Sequence, residues 1–363
     1  MKVIGFLLRT AWLVLNLLAG GILLFANLGQ FINPTTWVLP SLSGLIYEWL
    51  LLLNICFAIA WLFSHHKSRS LISLICLLCS IVPISHTIAH QSITQISGKH
   101  IYTHSLDILS YNTKRLDMFA KPSENRILQY IKESGADVVC LQEFETYKNS
   151  QYLTLQEVKE YLDYAYSYID FKQYKGQRQY GLAVFSRYPL IHKQTLRYES
   201  TTNISDRCDI VIGNDTLRLL NNHLQSNRLT EKDLTILNNF ADSNDDVKKS
   251  ANKIKQKLTS AYTYRTQQAD FIYKELEQSP YPVIMCGDFN DVPVSYVYRH
   301  ISRHLNDAFL QSGNVGLGHT FHRKKFGLRI DYILHSRNIQ SENFRVESVP
   351  YSDHYPIRCN ICW

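Results

Sequence analysis

Apolar and polar positions divide this chain into two parts. Up to about residue 95 the apolar residues run on almost unbroken, in Thr10–Leu28, Leu45–Phe63 and Leu71–His90. Each is close to the ~20 residues that cross a bilayer as a helix. From Ser105 the pattern changes to short apolar runs that end in polar side chains and alternate with segments of helical period. LDILSYN (Leu106–Asn112), DVVCLQE (Asp137–Glu143), YGLAVFSRYP (Tyr180–Pro189), LRLLNNHL (Leu217–Leu224) and PVIMCGDFNDVP (Pro282–Pro293) read as strands. LRIDYILHS (Leu328–Ser336) and VPYSDHYPI (Val349–Ile357) close the series. A helix is expected after the first strand, with Ser123 as N-cap, Ile127, Leu128 and Ile131 on one face, and Gly135 at its end.

No Gly/Ser-rich linker and no internal repeat divides the second part. The organisation expected is therefore a membrane anchor over 1–98 and one α/β domain over 99–363. Within that domain a polar stretch from Gln225 to about Glu277 carries EKD, NDD and KKSANKIKQK, the charge pattern of a solvated helical face. It reads as a helical insertion, about 225–265, placed to overhang whatever site the domain builds.

Charge refines the picture. The 363 residues carry a net +7, but before residue 100 there are only Lys2, Arg9, Lys67, Arg69, Lys99 and Glu48. The remainder, with 33 basic and 30 acidic side chains, is nearly balanced, which argues against nucleic-acid binding by charge alone. Lys2 and Arg9 precede the first span, Gly29 to Gly44 has no basic residue, and the next connection is HHKSRS. By the positive-inside rule the N-terminus and that connection are cytoplasmic, so a third crossing places the α/β domain outside. Two further apolar stretches follow the first, which is not the pattern of a cleaved signal peptide. The third span is interrupted by Pro83, His86 and His90, and were it only interfacial the α/β domain would face the cytoplasm. Glu48 reads as an interfacial residue, and His65, His66, His319 and His322 as ordinary loop residues. Cys359-Asn-Ile-Cys362 has the spacing of a redox or zinc pair but no second pair, so it reads as structural, with a disulfide open to it in an oxidising compartment.

The chemistry lies at the strand ends: Asn112, Gln142-Glu143, His223, Asp288-Phe289-Asn290-Asp291 and Ser352-Asp353-His354, with Asp331 in a sixth strand. Mg²⁺ is a hard ion that takes one or two carboxylates and keeps positions for water and phosphate, which suits Glu143 and Asp353. Hydrolysis of a phosphate ester further needs a positioned water, a proton carrier and donors for the phosphoryl oxygens. Asp288, His354, Asn290 and His223 supply them, with Asp331 behind His354. Asp291 reads equally as a metal ligand or as the N-cap of a helix after Pro293, and Gly181 as a point of close backbone approach.

SYNTKRL, VVCLQEFE, YGLAVFSRYPL, LLNNHLQS, VIMCGDFNDVP, HTFHRKKFGLRIDYILHS and YSDHYPI, in this order from Leu106 to Ile357, resemble the endonuclease/exonuclease/phosphatase superfamily. The resemblance implies a four-layered α/β sandwich, two packed β-sheets flanked by helices, here preceded by three transmembrane helices. It implies that Asn112, Glu143 and Asp353 hold a catalytic Mg²⁺ or Mn²⁺. By motif, Asp288 and Asn290 position the attacking water and the phosphate, and His354 with Asp331 is base or phosphate ligand. His223 assists the leaving group, and Thr320 and Arg329 match the residues around the late strand, Arg329 also fitting a structural surface position.

Substrate is left open by the fold. KQYKGQRQY (Lys172–Tyr180) and HRKKFG (His322–Gly327) interleave basic and aromatic residues, which fits phosphate-backbone contact with stacking and fits an anionic membrane surface equally well. The reading favoured is a membrane-anchored, endonuclease-like phosphodiesterase acting on external nucleic acid. The alternatives are a phospholipid or sugar-phosphate hydrolase, and an inactive tethered binding protein. Partners are then the phosphate-ester substrate and the bilayer; no protein partner follows from the sequence.

Overall fold

The computed structural model describes residues 2–90, 102–198, 203–228, 233, 245–323 and 326–363. It comprises two units, Met1–Thr87 with Val292–Arg299, and Ile88–Asp291 with His300–Trp363.

In the first unit Ile4–Gln30 and Leu39–Leu62 are long and apolar enough to cross a membrane. Lys67–Cys79 and Ile81–Thr87 make a third such stretch if the 60° bend between them lies within one span. The bend has a local cause: Pro83 has no N–H to give the carbonyl of Cys79, four residues back, and its ring crowds that turn. Polar side chains tie the helices together. Asn16 Nδ2 donates to Ser73 Oγ (2.6 Å), Trp61 Nε1 to Asn16 Oδ1 (2.9 Å) and Asn27 Nδ2 to Ser80 Oγ (2.9 Å). In an apolar surround such bonds, rather than hydrophobic attraction, hold helices to one another.

The second unit is built on fourteen strands among the described residues. They are β1 (Ser105–Asn112), β2 (Val138–Tyr147), β3 (Tyr166–Lys175), β4 (Arg178–Ser186), β5 (Leu190–Arg197), β6 (Ile204–Ile212) and β7 (Asp215–His223). There follow β8 (Val283–Asp288), β9 (Leu305–Asp307), β10 (Phe321–Arg323), β11 (Phe326–Leu328), β12 (Asp331–Ser336), β13 (Gln340–Val346) and β14 (Ile357–Cys362). One sheet runs β13-β14-β1-β2-β4-β3, the other β5-β6-β7-β8-β12-β9, and β10 and β11 form a hairpin. Alternation along the strands makes the layers. Leu106, Ile108, Val138 and Cys140 meet Leu217, Leu219, Ile284, Cys286 and Ile333 between the sheets. Leu109, Tyr111, Val139 and Leu141 face outward onto Ile127, Leu128, Ile131 and Val158 of the helices Arg126–Ser134 and Leu155–Leu162. The second sheet is tied to the 33-residue helix Asp245–Glu277, whose Glu275 accepts from Arg207 Nη1 at 2.6 Å. This is the expected four-layered sandwich.

The structure corrects several local expectations. The helix after β1 is capped by Asn125, whose side chain accepts from Leu128 N (3.0 Å) and also donates to Leu116 O (2.7 Å), so Ser123 stays outside. Val349–Pro356 forms the connection into β14, so Ser352-Asp353-His354 precede a strand and do not end one. All eight cysteines are free thiols. Cys359 and Cys362 lie three apart on β14, which points them to opposite faces of the sheet and rules out a bridge. His322 lies in β10 and stacks on Tyr355 (ring centroids 4.0 Å), and is no loop residue. Of the 225–265 insertion, 229–232 and 234–244 lie outside the described residues.

Candidate active site

The period of two that buries the core also delivers the polar strand ends. Along β1 the inward series Leu106, Ile108, Ser110 ends at Asn112; on β2, Val138 and Cys140 lead to Gln142. On β7 and β8 the inward positions end at His223 and Asp288, and β12 opens with Asp331. Register brings these ends together: Asn112 is level with Gln142, His223 with Asp288, and Asp288 with Asp331. Gln142 Nε2 donates to Asn221 Oδ1 at 2.7 Å and so joins the two sheets just beneath the site.

Gly287 makes the level pairing of β7 and β8 possible. Its φ is +131°, and a Cβ there would lie 2.0 Å from Asn222 O. The neighbouring strand therefore passes where any side chain would be. Gly181 serves the same end on β4, where a Cβ would lie 1.9 Å from Asp170 O.

Asp288 is the hub. Its Oδ1 accepts from Asn290 N (2.7 Å), and its Oδ2 from Asn112 Nδ2 (2.9 Å) and Asn290 Nδ2 (3.1 Å). Asn290 reaches it from a left-handed conformation, φ +53°. Non-glycine residues seldom adopt that conformation except where surrounding contacts enforce it. His354 Nδ1 lies 2.8 Å from Asp331 Oδ2, while its Nε2 faces Asp288 Oδ2 at 3.8 Å. The carboxylates of Asp288 and Asp331 and the His354 ring form a buried cluster whose ligand atoms lie within 4.8 Å of one another. Thr320 Oγ1 accepts from Ile330 N and Asp331 N, both at 3.1 Å, and so fixes the start of β12. Ser352 Oγ donates to Asn112 O (2.8 Å), tying the Ser-Asp-His loop to the end of β1.

Glu143 sits in a β-bulge of β2, between Leu141 and Phe144, with φ +51°. Such a bulge re-aims a side chain that regular pairing would send to the outer face. Glu143 is 28% exposed and lies 3.7 Å from His223 Nε2, which is itself 3.9 Å from Asp288. His223 Nε2 is buried with no hydrogen-bond partner among the described residues. Asp353 Oδ2 is met by Lys114 Nζ at 2.8 Å.

Electrostatics separates the groups. Burial, with Asp331 next, raises Asp288 to about 6 against the pull of His354 and His223. Burial by itself would lower His354, but the carboxylates of Asp331 and Asp288 outweigh it and raise the imidazole to about 10. His223 is lowered by burial and stays neutral. Glu143 is raised, chiefly by burial and further by Asp353, with His354, Asn112 and Arg115 opposing.

All eight singled-out residues, Asn112, Glu143, His223, Asp288, Asn290, Asp331, Asp353 and His354, thus come to the carboxyl end of the sandwich or the loop beside it. Asp291 does not join them as a ligand or cap: Arg265 Nε lies 3.3 Å from its Oδ2, and Ser295 Oγ caps the following helix at Tyr298 N. Arg329 is no surface residue. It is 1% exposed and donates to Asp307 Oδ2 at 2.7 Å. Lys324 and Lys325 of the HRKKFG patch lie outside the described residues, as do the side chains at 173–175, 323 and 326. Tyr180, expected only as part of a basic patch, stands beside the site: its hydroxyl is raised well above its ordinary value by burial and then by Glu143, Asp288 and Glu145. Its only signal in the sequence is its place one residue before Gly181.

Residues 109–354 match the model described as the endonuclease/exonuclease/phosphatase family, and residues 7–87 match a domain of unknown function. No curated protein matches the chain. Among solved structures, the chain is similar to an endonuclease/exonuclease/phosphatase from Beutenbergia cavernae, at 17% identity and TM-score 0.51, covering 71% of each chain. It is similar to a protein of that family from Leptotrichia buccalis at 16% identity and TM-score 0.51, covering 71% of this chain and 100% of that one. A mannosyl-6-phosphatase from Bacteroides thetaiotaomicron matches at 16% identity and TM-score 0.50, with the same coverage.

Proposed function

Because the chain belongs to the endonuclease/exonuclease/phosphatase family, we propose that it is a membrane-tethered, divalent-metal-dependent phosphodiesterase of the nuclease kind acting outside the cytoplasm. The observation that carries this reading is the convergence of Asp288, Asn290 and the Asp331–His354 pair with Asn112, which donates to Asp288, and with Glu143, which lies 3.7 Å from His223. The domain limits 1–98 and 99–363 belong to the same reading, with the anchor held by the apolar helices.

The donor set fits a hard cation. Glu143, Asn112 Oδ1 and Asp353 are oxygen donors, and the Asp353 carboxylate adds to the burial that keeps Glu143 raised. Asp288 and His354 are poorer ligands, because two amides occupy Asp288 Oδ2 and Asp331 takes His354 Nδ1. Asn112, Glu143 and Asp353 would therefore hold Mg²⁺ or Mn²⁺, which when bound polarises a phosphoryl oxygen.

The remaining steps fall to this chain's own side chains. Asp288, raised only to about 6, is ionised at neutral pH and takes the proton of the attacking water. Asn290 and Asn112 fix its orientation. His354, raised to about 10, enters as a cation and stabilises charge on the phosphoryl oxygens, while Asp331 orients the ring. His223, neutral and with Nε2 unbonded, is placed to serve the leaving group. Lys2, Arg9, Lys67 and Arg69 support the extracytoplasmic orientation.

The test is hydrolysis by the full chain in detergent micelles with Mg²⁺, against plasmid DNA, single-stranded RNA, sphingomyelin, phosphoinositides and sugar phosphates. Cleavage of nucleic acid that disappears with chelator and in His354→Ala is the expected result. Turnover of a lipid or sugar phosphate with plasmid and RNA intact overturns the nuclease reading, and no turnover at all leaves an inactive tethered protein.

A further inference from the structure

The bulge that carries Glu143 has a second effect. It inserts one residue between Leu141 and Phe144, which both pack on the outer face, so the positions beyond it change phase. Glu145 thereby takes the side that Cys140 and Gln142 hold earlier in β2, the side of the active site. Opposite it on β4 is Tyr180, and opposite Tyr147 is Arg178.

Glu145 is 1% exposed, a depth at which a carboxylate is rarely found without partners. Two guanidinium groups hold it. Arg178 Nε lies 2.5 Å from Oε1 and Arg115 Nε 3.8 Å from Oε2. One carboxylate between two cations leaves a positive charge in excess, and both arginine side chains reach solvent, Arg115 by 60% and Arg178 by 36%.

Arg115 is put there at a cost. Lys114, Arg115, Leu116 and Asp117 have φ of +44°, +74°, +55° and +42°, a run of four non-glycine residues in the left-handed region. Each such residue costs about 1–3 kcal/mol unless its surroundings enforce it. The enforcing contacts are Lys114 on Asp353 at one end, Arg115 on Glu145, and the fully buried Leu116 that follows. Glu143 lies within electrostatic reach, since Arg115 opposes the rise in its proton affinity. An aromatic row continues from the arginines: Tyr147 packs on Tyr152 (4.5 Å) and Tyr152 on Phe119 (5.5 Å), which is 66% exposed.

We propose that Arg115 and Arg178, clamped on Glu145, form a second anion subsite beside Glu143 that takes the phosphate next to the scissile one, so that the substrate is a polynucleotide strand. This rests on the phosphodiesterase reading above. Strand rise puts position 145 at most about 7 Å beyond 143, less through the bulge, on the order of one step along a backbone. Guanidinium forks match phosphate oxygens, and the exposed Phe119 ring at the end of the row gives a base a stacking surface.

The experiment is calorimetric titration of the full chain in micelles, with Ca²⁺, using thymidine 5′-monophosphate, thymidine 3′,5′-bisphosphate and inositol 1,4-bisphosphate. The nucleoside bisphosphate should bind about tenfold tighter than the monophosphate, the worth of one charged contact. Arg115→Gln and Arg178→Gln should each reduce that preference below about threefold. Equal binding of the two nucleotides, or a preference that survives both substitutions, overturns the subsite. An arginine-dependent preference seen only for the inositol compound overturns the polynucleotide assignment. The readout is binding, so a protein that prefers the bisphosphate yet cleaves nothing would sink the phosphodiesterase reading alone, and cleavage without preference would sink the subsite alone.

Discussion

Arg265 and Asp291, both fully buried, form an ion pair with Nε 3.3 Å from Oδ2, and through it the helix Asp245–Glu277 holds the loop that follows Asp288. The same guanidinium donates from Nη1 to Gln225 O (2.9 Å) and Asn227 Oδ1 (2.8 Å), in the loop that follows His223. Gln268 Oε1 accepts from Gln225 N at 2.8 Å, and Tyr262 lies 4.1 Å beneath Arg265. The inserted helix is thus part of the site's support.

Removing one partner of such a pair leaves a buried charge uncompensated, which costs about 3–5 kcal/mol. Arg265→Met should lower the denaturation midpoint accordingly, and the double substitution Arg265→Met with Asp291→Leu should recover most of the loss. A single variant as stable as the parent in chemical denaturation would contradict the pair's role.

Asp331 meets His354 Nδ1 at 2.8 Å. Asp331→Asn keeps the size but removes the charge that holds the imidazole as a cation. Turnover of bis(p-nitrophenyl) phosphate should fall by about 10²–10⁴-fold with KM little changed. A loss carried wholly by a higher KM, with kcat unchanged, would show that the pair only binds substrate.

Asp288, raised to about 6, should set the acid limb of the pH profile. kcat/KM should fall roughly tenfold per unit below that value, because the base must be ionised. Asn290→Gly keeps the left-handed backbone and deletes the 3.1 Å Nδ2 donor to the carboxylate, so the limb should move to higher pH. The sign for stability is opposite. Between its ordinary value and about 6 the folded state holds more protons than the unfolded one, so Asp288's contribution to stability declines as pH rises through that window.

Gly287→Ala would set a Cβ 2.0 Å from Asn222 O at φ +131°. Stability should drop by more than about 1 kcal/mol. His223 and Asp288 are level across this pairing, so activity should be lost with it. Hydrogen exchange at Leu224 N, which donates to Asp288 O at 2.9 Å, would report the opening directly.

Features that a local rule can carry were legible along the chain. Period-two runs ending in Asn112, Gln142, His223 and Asp288 gave the strands, because inward alternation dictates which side chains leave the core at its edge. Apolar length gave the stretches long enough to cross a membrane, and Pro83 their weakest point, because helix rise and a missing N–H are properties of the segment alone. Only the tertiary structure decided the rest. Asp291 was legible as a cap or a ligand, and its choice of Arg265, 26 positions away, depends on how a helix packs back over two loops. The bulge at Glu143 shows only once β4 is laid against β2, and with it the turning of Glu145 to the side that Tyr180 and Arg178 hold on β4. Burial does the same for charge: Asp288 and His354 take their raised values from groups on other strands and loops, and no window of sequence holds those neighbours together.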